Sequence, residues 1–361
     1  MKIDSLIPPH ELRDALDGKL VRQQFHPERP ELTILNYTDK AQVNNVWNRA
    51  TKTCRGLIFD SETGDIVARP FPKFFNYGQE PKAFRRWSED EMVVVTDQLD
   101  GSLGISYMAP DGQLAIATRG SFTSEQALHA TDVLRTRYSG FEPLPGKTYL
   151  FEIIYPENRI VVNYGDTNDL VLIGVVDIES GLSFTPVRDS AYGNHFRWPG
   201  PIVQIAPYKR FRDALVAPPR PNAEGLVVHF LDTDERVKIK QDDYVALHKI
   251  VTGLNEVVVW EALKLGGAYE DLLHRLPDEF HAWVQKTSTR LVEEFIRLNT
   301  EVEATFAALE VADVVDDRKA FALSIKDKPA WLKACLFAWL DGNHHRANEV
   351  IWKFIKPKGD K

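Results

Sequence analysis

Near residue 244 the apolar pattern of the chain changes period. Before that point the apolar residues alternate in short runs of five to eight, as in 92–96, 148–154, 170–177, 225–230 and 236–240. That is the two-residue period of strands bounded by turn residues. After it, Phe280, Val284, Leu291, Phe295, Leu298, Val302, Phe306 and Leu309 recur at three- and four-residue steps. That is the spacing of a long amphipathic helix. Trp331, Leu332, Leu336, Trp339 and Leu340 mark a second helix, and Val350, Ile351 and Phe354 a third. One packed layer cannot serve both periods. The chain of 361 residues is therefore expected to hold a β-rich domain over residues 1–247, N-terminal extension included, and a helical domain over 248–361.

Within the first part, 56–60 and 66–69 read as a hairpin around the turn 61–65, and 92–107 pairs with 113–119 around Asp111-Gly112. Residues 124–137 have helical spacing, and 159–164 read as a further strand. Ala217-Pro218-Pro219-Arg220-Pro221 is a loop, since a strand follows directly. The net charge of −8 argues against a surface built to coat nucleic acid, but a cleft needs only a few cations aimed at phosphates. No run approaches a membrane span, the first residues lack a signal-peptide apolar core, and Cys54 and Cys335 lie far apart in sequence. A reduced, cytoplasmic protein without a membrane role is expected.

Chemistry is concentrated in short runs. Gln98-Leu99-Asp100-Gly101-Ser102 sits between two strand-like segments, and Asp-Gly alone is a common turn. Glu152 stands in an apolar strand, and Glu224 opens another. Lys238 and Lys240 are two apart, so a strand points both to one face. Taken singly, such residues read as a paired buried acid and a solvated strand edge. Together they form a set that can neutralise phosphate charge and hold a divalent cation.

In this order the runs resemble motifs I, III, IIIa, IV and V of the superfamily of covalent nucleotidyltransferases, which includes ligases and capping enzymes. Cys54-Arg55-Gly56-Leu57-Ile58-Phe59, Pro72-Lys73-Phe74-Phe75-Asn76 and the run from Lys240 to His248 narrow the resemblance to the T4 RNA ligase 1-like family, over roughly residues 35–250. The resemblance implies an α+β fold: a nucleotidyltransferase (ATP-grasp-like ligase) core of twisted antiparallel sheets with flanking helices, followed by an all-α C-terminal domain. It implies that Gln98 occupies the place of the nucleophilic lysine, and that Asp100 and Gly101 shape the turn presenting it. Glu152 would contact the ribose or help bind metal, Glu224 would act on Mg²⁺ (or Mn²⁺), and Lys238 and Lys240 would hold the α-phosphate. Arg55 and Lys73 would meet the triphosphate or donor phosphate, and Arg119 matches a basic position of the family.

The implied reaction uses ATP in three steps. The lysine takes AMP, AMP passes to the 5′-phosphate of an RNA, and an RNA 3′-hydroxyl displaces AMP. A glutamine amide is delocalised and not nucleophilic, which removes the first step. Two readings stay open: an ATP-dependent RNA ligase substituted at its nucleophile, and a natural protein of ligase descent that binds nucleotide or RNA or seals only pre-adenylylated ends. Capping enzymes and DNA ligases share the core but carry an OB-fold where this chain reads as helices. By family analogy the partner is RNA with 5′-phosphate and 3′-hydroxyl ends, such as nicked tRNA, in a bacterial or phage-infected cell. His248, His344 and His345 lack zinc-site spacing, and Trp331, Trp339 and Trp352 fit a helical core better than a base-stacking surface.

Overall fold

The computed structural model describes residues 1–81, 87–187, 196–241, 244, 253–266, 268–276 and 278–357. The chain divides into two compact units, Met1–Thr252 and Gly253–Lys361. The expected boundary at 247/248 lies outside the described residues.

Three sheets build the first unit. Strands β1 (Val21–Phe25), β2 (Leu32–Tyr37), β3 (Arg55–Asp60) and β4 (Ile66–Ala68) pair in chain order as an antiparallel meander. The other strands are β5 (Phe75–Asn76), β6 (Val93–Gln98), β7 (Ser102–Met108), β8 (Leu114–Thr118), β9 (Lys147–Ile154), β10 (Asp169–Asp177), β11 (Ser183–Phe184), β12 (Ile205–Ala206), β13 (Gly225–Phe230) and β14 (Arg236–Lys240). They form two five-stranded sheets, ordered β11-β10-β9-β7-β8 and β12-β6-β13-β14-β5. Pairing is antiparallel except between β14 and β5.

Alternation fixes what each face of the third sheet carries. Val93, Val95, Leu226, Val228, Phe230 and Val237 pack with Phe211 and Ala214 as one buried cluster. The residues between them point the other way. The register pairs Gln98 and Lys240 with Gly225, Thr96 and Lys238 with Val227, and Arg236 with His229. This second face is the polar one. On β9, Tyr149, Phe151 and Ile153 pack with Trp198 and the helix Glu125–Arg137, so Glu152 stands on the opposite face.

Two expected strands differ. Residues 92–107 are not one strand: β6 ends at Gln98, and the turn 99–101 carries the chain into β7 of another sheet. Residues 159–164 form no strand, because the Val161 and Val162 amides donate to the Asp100 carboxylate instead of a neighbouring backbone. The second unit holds helices Glu256–Lys264, Ala268–Arg275, Asp278–Val311, Arg318–Ser324, Ala330–Leu340 and His344–Phe354. Leu298, Val302, Phe321, Leu332, Leu336 and Ile351 share its core, with Trp331 and Trp339 packed against them. Cys54 and Cys335 are free and buried, one in each unit. Among the described residues no helix is long and apolar enough to cross a membrane.

Candidate active site

Gln98, Gly225 and Lys240 are neighbours across three adjacent strands, and Glu224 directly precedes Gly225. The Gln98 Nε2 amide donates to Glu224 Oε1. Lys240 Nζ reaches the same oxygen at 2.6 Å, with both side chains buried. Gln98 Oε1 is buried and accepts no hydrogen bond among the described residues. The three strands can come this close because position 225 has no side chain. A Cβ there would meet the Ile239 carbonyl oxygen at 2.3 Å.

The turn after β6 is clamped by side chains. Asp100 Oδ2 accepts from the Val161 and Val162 amides at 2.8 and 2.7 Å. Its Oδ1 accepts from the Tyr244 hydroxyl at 2.8 Å, while its own amide donates to Tyr164 Oη at 2.8 Å. The Gly101 amide donates to Glu152 Oε1 at 3.0 Å. A Cβ at Gly101 would lie 2.6 Å from the Ile153 carbonyl oxygen, so glycine alone lets the turn rest on β9. Ser102 Oγ donates to Asn158 Oδ1 at 3.2 Å.

These contacts crowd three acids and two lysines. Burial pushes the Glu152 carboxyl up to about 8; Glu224 adds to the rise, and the Gly101 amide and Lys238 oppose it. Burial also raises Glu224, against the pull of Lys240 and Lys238. Each acid is therefore costly to leave charged alone, and an added cation would favour both carboxylates. Among the described residues no group of three or more His, Cys, Asp or Glu is placed to cage a metal. The donor set instead suits a hard cation held through one or two carboxylates and the oxygens of a phosphate ligand.

The remaining basic candidates sit on aromatic rings. Arg55 and Lys238 each lie 5.3 Å from the centre of the Phe74 ring. Lys73 is buried, donates to Gln42 Oε1 at 2.9 Å, and lies 5.0, 5.1 and 5.3 Å from the Tyr37, Trp47 and Phe75 rings. Arg119 donates to the Tyr37 hydroxyl at 2.8 Å, and Lys73 reaches the same hydroxyl at 3.3 Å. The structure thus gathers Gln98, Asp100, Gly101, Glu152, Glu224, Lys238 and Lys240 in one place, and joins Lys73 and Arg119 through Tyr37.

Sequence reasoning did not single out Tyr37, Asn158 or Arg220. Arg220, in the proline-rich loop, donates to Asp97 at 2.6 Å and to the Gly225 carbonyl at 3.1 Å, bracing two strands of the site. Its only signal was one arginine in a loop. His344 and His345 are exposed, His344 lying edge-on to Trp339, and His248 lies outside the described residues. Trp352 stacks on Phe295 with centroids 4.9 Å apart.

Known proteins resemble this chain. A putative RNA ligase of Thermovibrio ammonificans is 28% identical over 222 residues, 56% of this chain and 54% of the relative. The chain thus spans about half the length of that relative. An RNA ligase of Rhodothermus phage RM378 is 24% identical over 92% of this chain and 90% of its own. Among solved structures, an archaeal ATP-dependent RNA ligase overlaps 80% of this chain and 77% of its own, at 13% identity and a TM-score of 0.43. An RNA ligase family profile matches residues 53–244, more than half of the chain. That stretch runs from the residue before Cys54 to Tyr244 and contains Arg55, Lys73, Gln98, Asp100, Gly101, Arg119, Glu152, Glu224, Lys238 and Lys240. The chain belongs to the RNA ligase family of the T4 RNA ligase 1 type.

Proposed function

We propose that residues 1–247 form an adenylyltransferase domain of an ATP-dependent RNA ligase in which self-adenylylation is lost and later sealing is retained. One observation carries this reading: Gln98, at the position the resemblance gives to the nucleophile, donates its amide to Glu224 Oε1, beside Lys240. The nitrogen lone pair of a carboxamide is delocalised into its carbonyl, so Gln98 offers no nucleophilic nitrogen to a phosphorus. The groups around it keep their chemistry. Lys238 and Lys240 offer two cations on one strand face to a phosphoryl centre. Glu152 and Glu224 are the residues that would hold Mg²⁺ or Mn²⁺, which when bound supplies further neutralisation of phosphate charge.

In the sealing step the 3′-hydroxyl oxygen of one RNA bonds to the 5′-phosphorus of an adenylylated RNA. The bond from that phosphorus to the AMP oxygen breaks, AMP leaves, and the hydroxyl proton is released. No lysine nitrogen takes part. The lysines lower the charge cost of the crowded phosphorus, and the Asp100 clamp keeps the turn fixed beside them. Substrates of this class, RNA with 5′-phosphate and 3′-hydroxyl ends and nicked tRNA among them, follow from the family alone.

The test is mass measurement after incubation with ATP and Mg²⁺. The Gln98 protein is expected to gain no AMP. Gln98→Lys is expected to gain one, because it puts an amine at the position the resemblance gives to the nucleophile, beside Glu224 and Lys240. An adduct on the Gln98 protein would place the nucleophile elsewhere and overturn the assignment. Both forms are expected to seal pre-adenylylated RNA, and failure of both would remove the retained step.

A further inference from the structure

Residues 70–75 line a cavity of about 520 Å³, a size that holds a nucleotide. Its lining includes Phe71 and Phe74. Phe74 also carries Arg55 and Lys238 on its ring, and Arg236 lies 4.0 Å from the centre of the Phe71 ring. Arg236, Lys238 and Lys240 project from one face of β14, at steps of roughly 6.6 Å. The row of cations therefore runs from the Glu224 pair to the wall of the cavity.

The lining holds more positive than negative charge. Arg49, Lys52, Arg69, Lys73 and Arg236 face two acids, Asp234 and Glu235. Both acids already accept hydrogen bonds from the protein. Asp234 takes the Ser183 amide at 3.0 Å, the Ser183 hydroxyl, and His229 Nε2 at 2.7 Å. Glu235 takes the Trp87 indole at 2.9 Å. Arg236 is buried, yet its nearest carboxylate contact is 3.5 Å, long for a charge-assisted bond. Its Nη2 has no acceptor among the described residues. A buried guanidinium with one end unmet is costly, and an anion beside it offsets that cost.

We propose that this cavity takes the nucleotide following the 5′ end of a single RNA strand, its phosphodiester drawn to Arg236 and to the rim cations Arg49 and Lys52. The proposal rests on the ligase reading above. It gives the domain a second RNA contact one nucleotide from the sealed phosphate. The same phosphodiester chemistry could come from the donor strand, which carries the 5′-phosphate, or from the acceptor strand. The continuous row from Lys240 to Arg236 favours the donor.

The test measures binding by fluorescence anisotropy of two labelled hexa-adenylates, one with a 5′-phosphate and one with a 5′-hydroxyl. ATP binding is measured alongside. The rim pair Arg49→Glu/Lys52→Glu is compared with a control reversal, Lys326→Glu/Lys328→Glu, in the helical unit. Arg236→Lys keeps the charge and loses the planar fork. The rim pair is expected to weaken the 5′-phosphorylated oligomer tenfold or more, leave ATP affinity within twofold, and exceed the control. Arg236→Lys is expected to weaken the same oligomer at least fivefold if its melting temperature is kept; the rim pair decides the matter if it is not. An unchanged oligomer affinity in the rim pair, with ATP still bound, overturns the cavity assignment alone. Loss confined to the 5′-hydroxyl oligomer overturns the donor assignment. If the parent chain binds neither ATP nor RNA, the ligase reading itself fails.

Discussion

Glu152 links the chemistry of the site to the stability of the fold. Its carboxyl is raised from the ordinary 4.5 to about 8, so the folded protein holds a proton that the unfolded chain releases. That contribution is fully present below about pH 4.5 and is lost as pH rises through 8. The ligand-free protein is therefore expected to melt at a lower temperature at pH 8.5 than at pH 6. Glu152→Gln should narrow that difference, and an identical difference in both proteins would rule the account out. Tyr244→Phe removes one of three donors to the buried Asp100 carboxylate. It should cost about 1–3 kcal/mol in urea unfolding. Lys240→Ala strips Glu224 of its cation; sealing of pre-adenylylated RNA should fall at least ~100-fold, as for loss of a preorganised charge. At this scale the motif residues were legible, since their types and order state their chemistry. Tyr37 and Arg220 were not, because a single tyrosine or arginine says nothing until the fold brings Lys73, Arg119 or Gly225 to it.

Strands were read well wherever alternation decided their faces. On β13, Leu226 and Val228 go to the apolar cluster while Gly225 and Val227 meet the site lysines. Leu226→Ala should accordingly cost about 2–5 kcal/mol in denaturant unfolding yet leave ATP affinity unchanged in the folded protein. An altered affinity would mean that the two faces are not independent. The misread strand at 159–164 has a physical cause. Ile160, Val161 and Val162 have strand character, but their backbone serves a side chain, a competition that local pattern does not record. The turn 99–101 is marked by Asp100-Gly101, but alternation does not record that the strand after it joins a different sheet.

The change of period near residue 244 announced two different packings, and the structure contains two compact units, Met1–Thr252 and Gly253–Lys361. Helices at 256–264, 268–275 and 318–324 went unread because they are short, at 9, 8 and 7 residues, and repeat the helical period too few times to stand out. Leu336 is fully buried in the helical unit. Leu336→Ala should expose amides of residues 253–357 to faster hydrogen exchange while those of β6, β9 and β13 keep their protection. Uniform acceleration across the chain would show one cooperative unit instead. The two thiols have a practical consequence. Cys54 and Cys335 are fully buried, and burial raises both above an ordinary thiol. A cysteine placed at an exposed position such as Arg49 would then be the only site a maleimide finds quickly. The parent sequence can thus carry a single spin label or dye at the cavity rim without either cysteine being removed.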